Sequence, residues 1–201
     1  MSKVFSAISV FFALAMFSAA HAAPITFTHE ATSGGGTLDG AAFDGGAIVI
    51  TAAADTDDIV DVGGGTYAVE HLAASIAIDG LGVFDFISPT RTFVNNGFVG
   101  FSRSANGGLN GADLLNGPAG LGAYDLTTSI GPSTGGGNFL QWAVSAVLTD
   151  GGVLEFASVG TDITFTAVVG DVSDVPLPAA FPLFLAGLGG LGFLRGRKKA
   201  A

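Results

Sequence analysis

Apolar and polar residues alternate one for one at both ends of the central part of this chain. Ile25-Thr26-Phe27-Thr28 opens it and Ile163-Thr164-Phe165-Thr166 comes near its close. A period of two marks a strand with one face buried. Further strand-like runs occupy 47–51, 66–78, 84–87, 92–101, 139–148 and 153–159. Between them stand turn pairs. Asn-Gly occurs at Asn96, Asn106, Asn110 and Asn116, and Asp-Gly at Asp39, Asp44, Asp79 and Asp150. Asn and Asp tolerate positive φ and Gly favours it, so such pairs suit hairpin turns. The clearest predicted hairpin joins 139–148 to 153–159 through Thr149-Asp150-Gly151-Gly152. The glycine-dense stretch 97–137 reads as long loops around one strand at 124–128, with a short helix near 112–115. No repeat of 20–50 residues is present, which disfavours a solenoid or propeller. The expected fold of residues 23–174 is therefore all-β, an antiparallel β-sandwich of jelly-roll-like or Ig-like form.

The flanks follow other rules. Residues 1–22 begin with Lys3, continue through an apolar run over 4–17, and end in Ser18-Ala19-Ala20-His21-Ala22. This is the order of a secretory signal peptide, with Ala20 and Ala22 as the small-residue pair and Ala23 as the first mature residue. The apolar run, about 14 residues, is short against the roughly 20 of a bilayer span. At the other end, Val175-Pro176-Leu177-Pro178-Ala179-Ala180 precedes an apolar stretch over 181–194, which is broken by Pro182 and four glycines. Arg195, Arg197, Lys198 and Lys199 follow. An apolar segment with a basic cluster behind it is a stop-transfer pattern, with the charges on the cytoplasmic side. The expected layout is a signal helix, the β domain facing outward, and a short transmembrane helix.

Charge sharpens the division. The 201 residues hold 17 acids, 7 Lys or Arg and no Cys. All the acids lie in 23–174, where Arg91 and Arg103 are the only bases, leaving a formal charge of −15. Such a domain repels phosphate backbones, so nucleic acid is excluded as a partner. It attracts cations and stays in solution. The missing cysteine removes disulfides, thiolate metal sites and a Cys nucleophile.

The tripartite tail resembles the PEP-CTERM sorting signal of Gram-negative bacteria. It is closest to the variant whose motif reads Val-Pro-Leu-Pro-Ala, here residues 175–179, with Leu177 where the more widespread form has Glu. The resemblance covers 175–201, with the signal peptide in support. It implies processing by an exosortase after signal peptidase has acted. It further implies transient residence in the inner membrane, delivery to the cell surface or outside, and association with exopolysaccharide and biofilm.

Candidate chemistry within the domain is sparse. Gly131-Pro132-Ser133-Thr134-Gly135 matches the G-x-S-x-G string, but the elbow needs a strand before the serine and a helix after it. Pro132 and three successive glycines indicate a loop instead. His29 and His71 could cooperate only if they met in space with a carboxylate to orient one ring. His71 follows Glu70, and neighbours on a strand point to opposite faces. Both histidines read as ordinary surface or partly buried residues. Asp55, Asp57, Asp58 and Asp61 offer hard oxygen ligands of the kind calcium takes. However, Val60 stands where the EF-hand glycine belongs, and Gly34-Gly35-Gly36 followed by Thr37 fails the calcium-repeat pattern. A solvated acidic loop is the simpler account, and calcium is the one cofactor left open. Trp142, Tyr67 and Tyr124 could stack on sugars, yet an aromatic within a strand such as Trp142 belongs more naturally to a core. No catalytic or metal set is assigned. The leading expectation is a non-enzymatic exported surface or matrix protein. A carbohydrate- or calcium-binding module comes next, favoured by an exposed aromatic row. A secreted hydrolase comes last, and needs a polar triad around a pocket.

Overall fold

The computed structural model describes residues 23–105, 108–144, 146–157 and 160–170. They form an all-β, antiparallel structure of thirteen strands. Two long strands, β1 (Pro24–Leu38) and β2 (Ala41–Asp55), make the central hairpin. Their turn is Asp39-Gly40, at φ of 48° and 80°, the left-handed pair that a two-residue hairpin needs. β5 (Ala73–Ile78) and β6 (Gly82–Asp85) extend the sheet on the β2 side. β13 (Gly160–Val169) and β10 (Ile130–Phe139) extend it on the β1 side. The far half of β1 also pairs with β12 (Gly152–Phe156), which forms a hairpin with β11 (Val147–Thr149).

A second arm runs β3 (Val60–Gly63), β4 (Thr66–Glu70), β7 (Thr90–Asn95), β8 (Phe98–Ala105) and β9 (Gly108–Asn116). Only two residue pairs, Asn138 with Asn116 and Phe139 with Leu115, join it to β10. So short a join lets the sheet turn back, and the inner faces of the arms meet. One core cluster includes Ile48, Ile50 and Ile163 of the first arm with Phe101 and Leu115 of the second. The other sets Ile25, Phe27 and Phe165 against Val69, Val94 and Val99. The alternation that opened the sequence is what buries them: Ile25, Phe27, His29 and Ala31 face inward while Thr26 and Glu30 face water.

The first and last predicted strands stand where expected, and the 149–152 turn joins β11 to β12. Several other expectations are corrected. The run 66–78 is two strands, because the chain crosses between arms at His71 and Leu72. The run 92–101 is the β7–β8 hairpin, turned by Asn96-Gly97. Residues 97–137 are only in part the expected loops: they hold all of β8 and β9 and most of β10, a long loop spans 117–129, and 124–128 within it form no strand. The helix expected near 112–115 is part of β9. Glycine there reflects close strand approach, since a Cβ on Gly111 would lie 1.9 Å from the Arg103 carbonyl oxygen. The strand expected over 139–148 stops at Phe139 and is followed by a 3-10 turn, Trp142–Val144. Asp44-Gly45 is a bulge inside β2 rather than a hairpin. The signal peptide with Ala20 and Ala22, the motif Val175 to Ala180, the apolar stretch 181–194 and the basic residues Arg195, Arg197, Lys198 and Lys199 lie outside the described residues.

Candidate functional site

The serine of the Gly131–Gly135 string sits on a strand. Ser133 pairs with Phe165 in the β10–β13 ladder, and the serine is followed by six more residues of the same strand, to Phe139, rather than by a helix. The strained strand–helix turn that exposes a nucleophile is therefore missing.

The acidic stretch folds on itself. The Asp55 carboxylate accepts from the Asp57 amide at 2.9 Å and caps a 3-10 turn, Thr56–Asp58. The Asp61 carboxylate accepts from the Gly63 amide at 2.8 Å. Both are local side-chain-to-backbone bonds that shape turns. Among the described residues no three His, Asp or Glu side chains gather as a metal site. Trp142 is fully buried, as expected of a core residue, although it lies on a turn rather than in a strand. Its Nε1 donates to the Leu114 carbonyl at 2.8 Å. Tyr124 is buried and Tyr67 half-buried, so these three form no exposed aromatic row.

Of the two histidines, His29 departs from expectation, while His71 is partly exposed as a residue. His29 is 1% exposed, in the core. The ring of His71 is largely buried where β4 hands over to β5, and its nitrogens lie 2.9 Å from the hydroxyls of Thr90 and of Thr92. The Phe101 ring stands between the pair, 6.1 Å from His29 and 5.5 Å from His71. Desolvation lowers the His29 pKa to about 3, and desolvation together with the nearby His29 lowers that of His71 to about 3. Both rings are therefore neutral at neutral pH. Both nitrogens of His29 are buried without a hydrogen-bond partner. The signal that locates His29 is strand parity with Ile25 and Phe27; His71 carries none, because its burial arises from the crossover.

Two surface features have no counterpart in the sequence pattern. On the outer face of the second arm, Glu70, Arg91, Ser102 and Asp113 form one cross-strand row. Arg91 Nε donates to Ser102 Oγ at 2.8 Å, and Ser104 Oγ donates to Glu70 Oε1 at 2.5 Å. Burial lowers the Arg91 pKa while Glu70 and Asp113 oppose it; burial raises that of Asp113 while Arg91 opposes it. The row is a compensated ion cluster beside a pocket of about 160 Å³. The larger feature is an open cleft of about 650 Å³ over the bulged middle of the β1–β2 hairpin. Gly34 to Gly36 form its floor, with Phe43, Asp44 and Glu155 around it. Among the described residues no Lys, Arg or His lines it, so it offers no anion-binding charge, and the only titratable groups beside Ser33 and Thr37 are the carboxylates of Asp44 and Glu155.

These features contain no assembled nucleophile, base and oxyanion set. No protein-family model, curated protein or solved structure matches the chain.

Proposed function

We propose that this chain is a non-enzymatic exported surface or matrix protein. In this reading its acidic domain, an antiparallel β-sandwich of jelly-roll-like or Ig-like form, is delivered between a cleaved signal peptide and an exosortase-processed tail. The observation that carries the reading is the order motif, apolar run and basic cluster over 175–199. The fold supports it in one respect. The Ala23 amide donates to Thr56 Oγ1 at 3.1 Å, and the Gly170 amide donates to the Pro24 carbonyl at 2.8 Å. Ile25 pairs with Val169, so both flanks leave the same end of the domain. A sheet held between them keeps that geometry whether or not either flank is removed.

The test concerns Pro176 and Pro178. Proline fixes φ and keeps its predecessor out of helix, which presents an extended segment to a processing site. Replacing both with alanine leaves the apolar run and the basic charges in place. The variant is expected to accumulate at full length in the inner membrane of a strain carrying the matching exosortase. Maturation and surface delivery at the normal rate would show that the tail serves only as an anchor.

A further inference from the structure

Five aromatic rings close a circuit through the core. His29 lies 5.0 Å from Phe165, Phe165 6.1 Å from Phe27, and Phe27 6.2 Å from His71. His71 stacks on Phe101 at 5.5 Å, and Phe101 returns to His29 at 6.1 Å. Phe27, His29 and Phe165 belong to the first arm; Phe101 is on β8, and His71 is held to β7 by Thr90 and Thr92. Both contacts of the circuit that pass between the arms, His29 with Phe101 and Phe27 with His71, thus have a histidine on one side.

The surroundings offer no carboxylate to a positive charge on either ring, and only His71, with the Thr90 and Thr92 hydroxyls, has polar neighbours at all. The His29 nitrogens have no acceptor, and its ladder partners are Ile50 and Phe165. Glu70 precedes His71, but it lies in the outer row with Arg91 and takes the Ser104 hydroxyl. Glu30 and Asp162 are exposed on the outer face of the first arm. Arg103 pairs with Thr90 and so shares the inner face; it brings positive charge, and its Nε is buried without a partner. No carboxylate among the described residues bonds either imidazole, and burying an uncompensated charge is costly.

We infer that this circuit is an acid-sensitive latch, in which protonation of either histidine separates the two arms and exposes the aromatic interior. It stands independently of how the flanks are processed. The sign follows from linkage. Each ring titrates near 6.5 when exposed and near 3 in the closed core. The closed state is therefore fully favoured above pH 6.5 and loses ground as pH falls from 6.5 toward 3, because the open state binds the protons. Relief of repulsion between acids works the other way, and the Asp125 carboxylate, held below its usual 3.8 by Thr127, gives up its contribution only around that value and below, so a loss between pH 6.5 and 5 has the histidines as its source.

The test measures the opening equilibrium of the full-length chain by urea titration at pH 7, 6.5, 6, 5.5 and 5, with Trp142 emission as the probe. With two protons taken up, the opening constant should rise by up to about 100-fold per pH unit below 6. His29→Phe, which keeps a ring in the circuit, and His71→Gln should each reduce this to about 10-fold. Slopes unchanged in both variants, or a wild-type slope under half a proton, would overturn the latch. Should a variant not fold, wild-type imidazole NMR decides. Ring signals of the native state that hold still down to pH 4.5 support the latch, and signals that titrate near 6.5 overturn it.

Discussion

At the scale of the residue, Trp142 shows how one side chain holds a turn against the sheet. Its ring contacts Phe156 edge-on at 4.7 Å, and its Nε1 reaches the Leu114 carbonyl, which also accepts from the Leu140 amide at 3.0 Å. Because that carbonyl keeps a second donor, losing the indole nitrogen does not orphan it. Trp142→Phe should thus cost about 1–2 kcal/mol, a net hydrogen bond plus a little packing. Trp142→Ala opens a large void and should cost about 3–5 kcal/mol. Urea unfolding followed by circular dichroism separates the two. Equal losses would show that the hydrogen bond, rather than the ring, is what matters at this position.

At the scale of the element, the β1–β2 hairpin contains glycines kept for opposite reasons. Gly40 has φ of 80°, and a methyl group added there would find nothing within 4 Å, so Gly40→Ala meets only left-handed strain, about 1–2 kcal/mol. Gly36 is extended, but a Cβ there would lie 1.9 Å from the Glu155 carbonyl oxygen. Gly36→Ala must push β12 away and should cost more, about 2–3 kcal/mol. Hydrogen exchange gives the check: the Ala157 amide, bonded to the Gly35 carbonyl at 2.9 Å, should lose protection in Gly36→Ala and keep it in Gly40→Ala. Equal protection in both would contradict the crowding argument. This contrast also shows what the sequence could reveal. Asp39-Gly40 and Asn96-Gly97 are readable because a tight turn is decided by its own residues. Gly36 and Gly111 are not, because the atoms that forbid a side chain belong to a paired strand, remote in sequence for Gly36 and the other half of the β8–β9 hairpin for Gly111. Asp44-Gly45 has turn chemistry yet forms a bulge, since strand pairing continues past it as far as Asp55. The cleft depends on that bulge and is equally hidden, whereas His29 lies in plain alternation with Ile25 and Phe27.

At the scale of the whole molecule, charge works against the fold almost everywhere. The segment 23–174 carries 17 acids and two arginines. One of these, Arg91, is already engaged by Ser102 and flanked by Glu70 and Asp113. Exposed acids such as Asp44, Asp57, Asp58, Asp61 and Glu155 have little to offset them. Mutual repulsion of this kind destabilises a compact state and is screened by salt. The Debye length is about 30 Å at 0.01 M and about 10 Å at 0.1 M, so most of the relief should come at the low end of the range. The buried Arg91 row is screened much less and should hardly respond. The thermal midpoint at pH 7.5, where both histidines are neutral, is therefore expected to climb by several degrees between 10 and 200 mM NaCl and then level off. A steady rise continuing to 1 M would indicate a general solvent effect on apolar burial instead. Since the Arg91 row hardly responds, a midpoint that falls with salt would mean that the exposed charges do not repel on balance, and that the acidity of this domain is no burden to its fold.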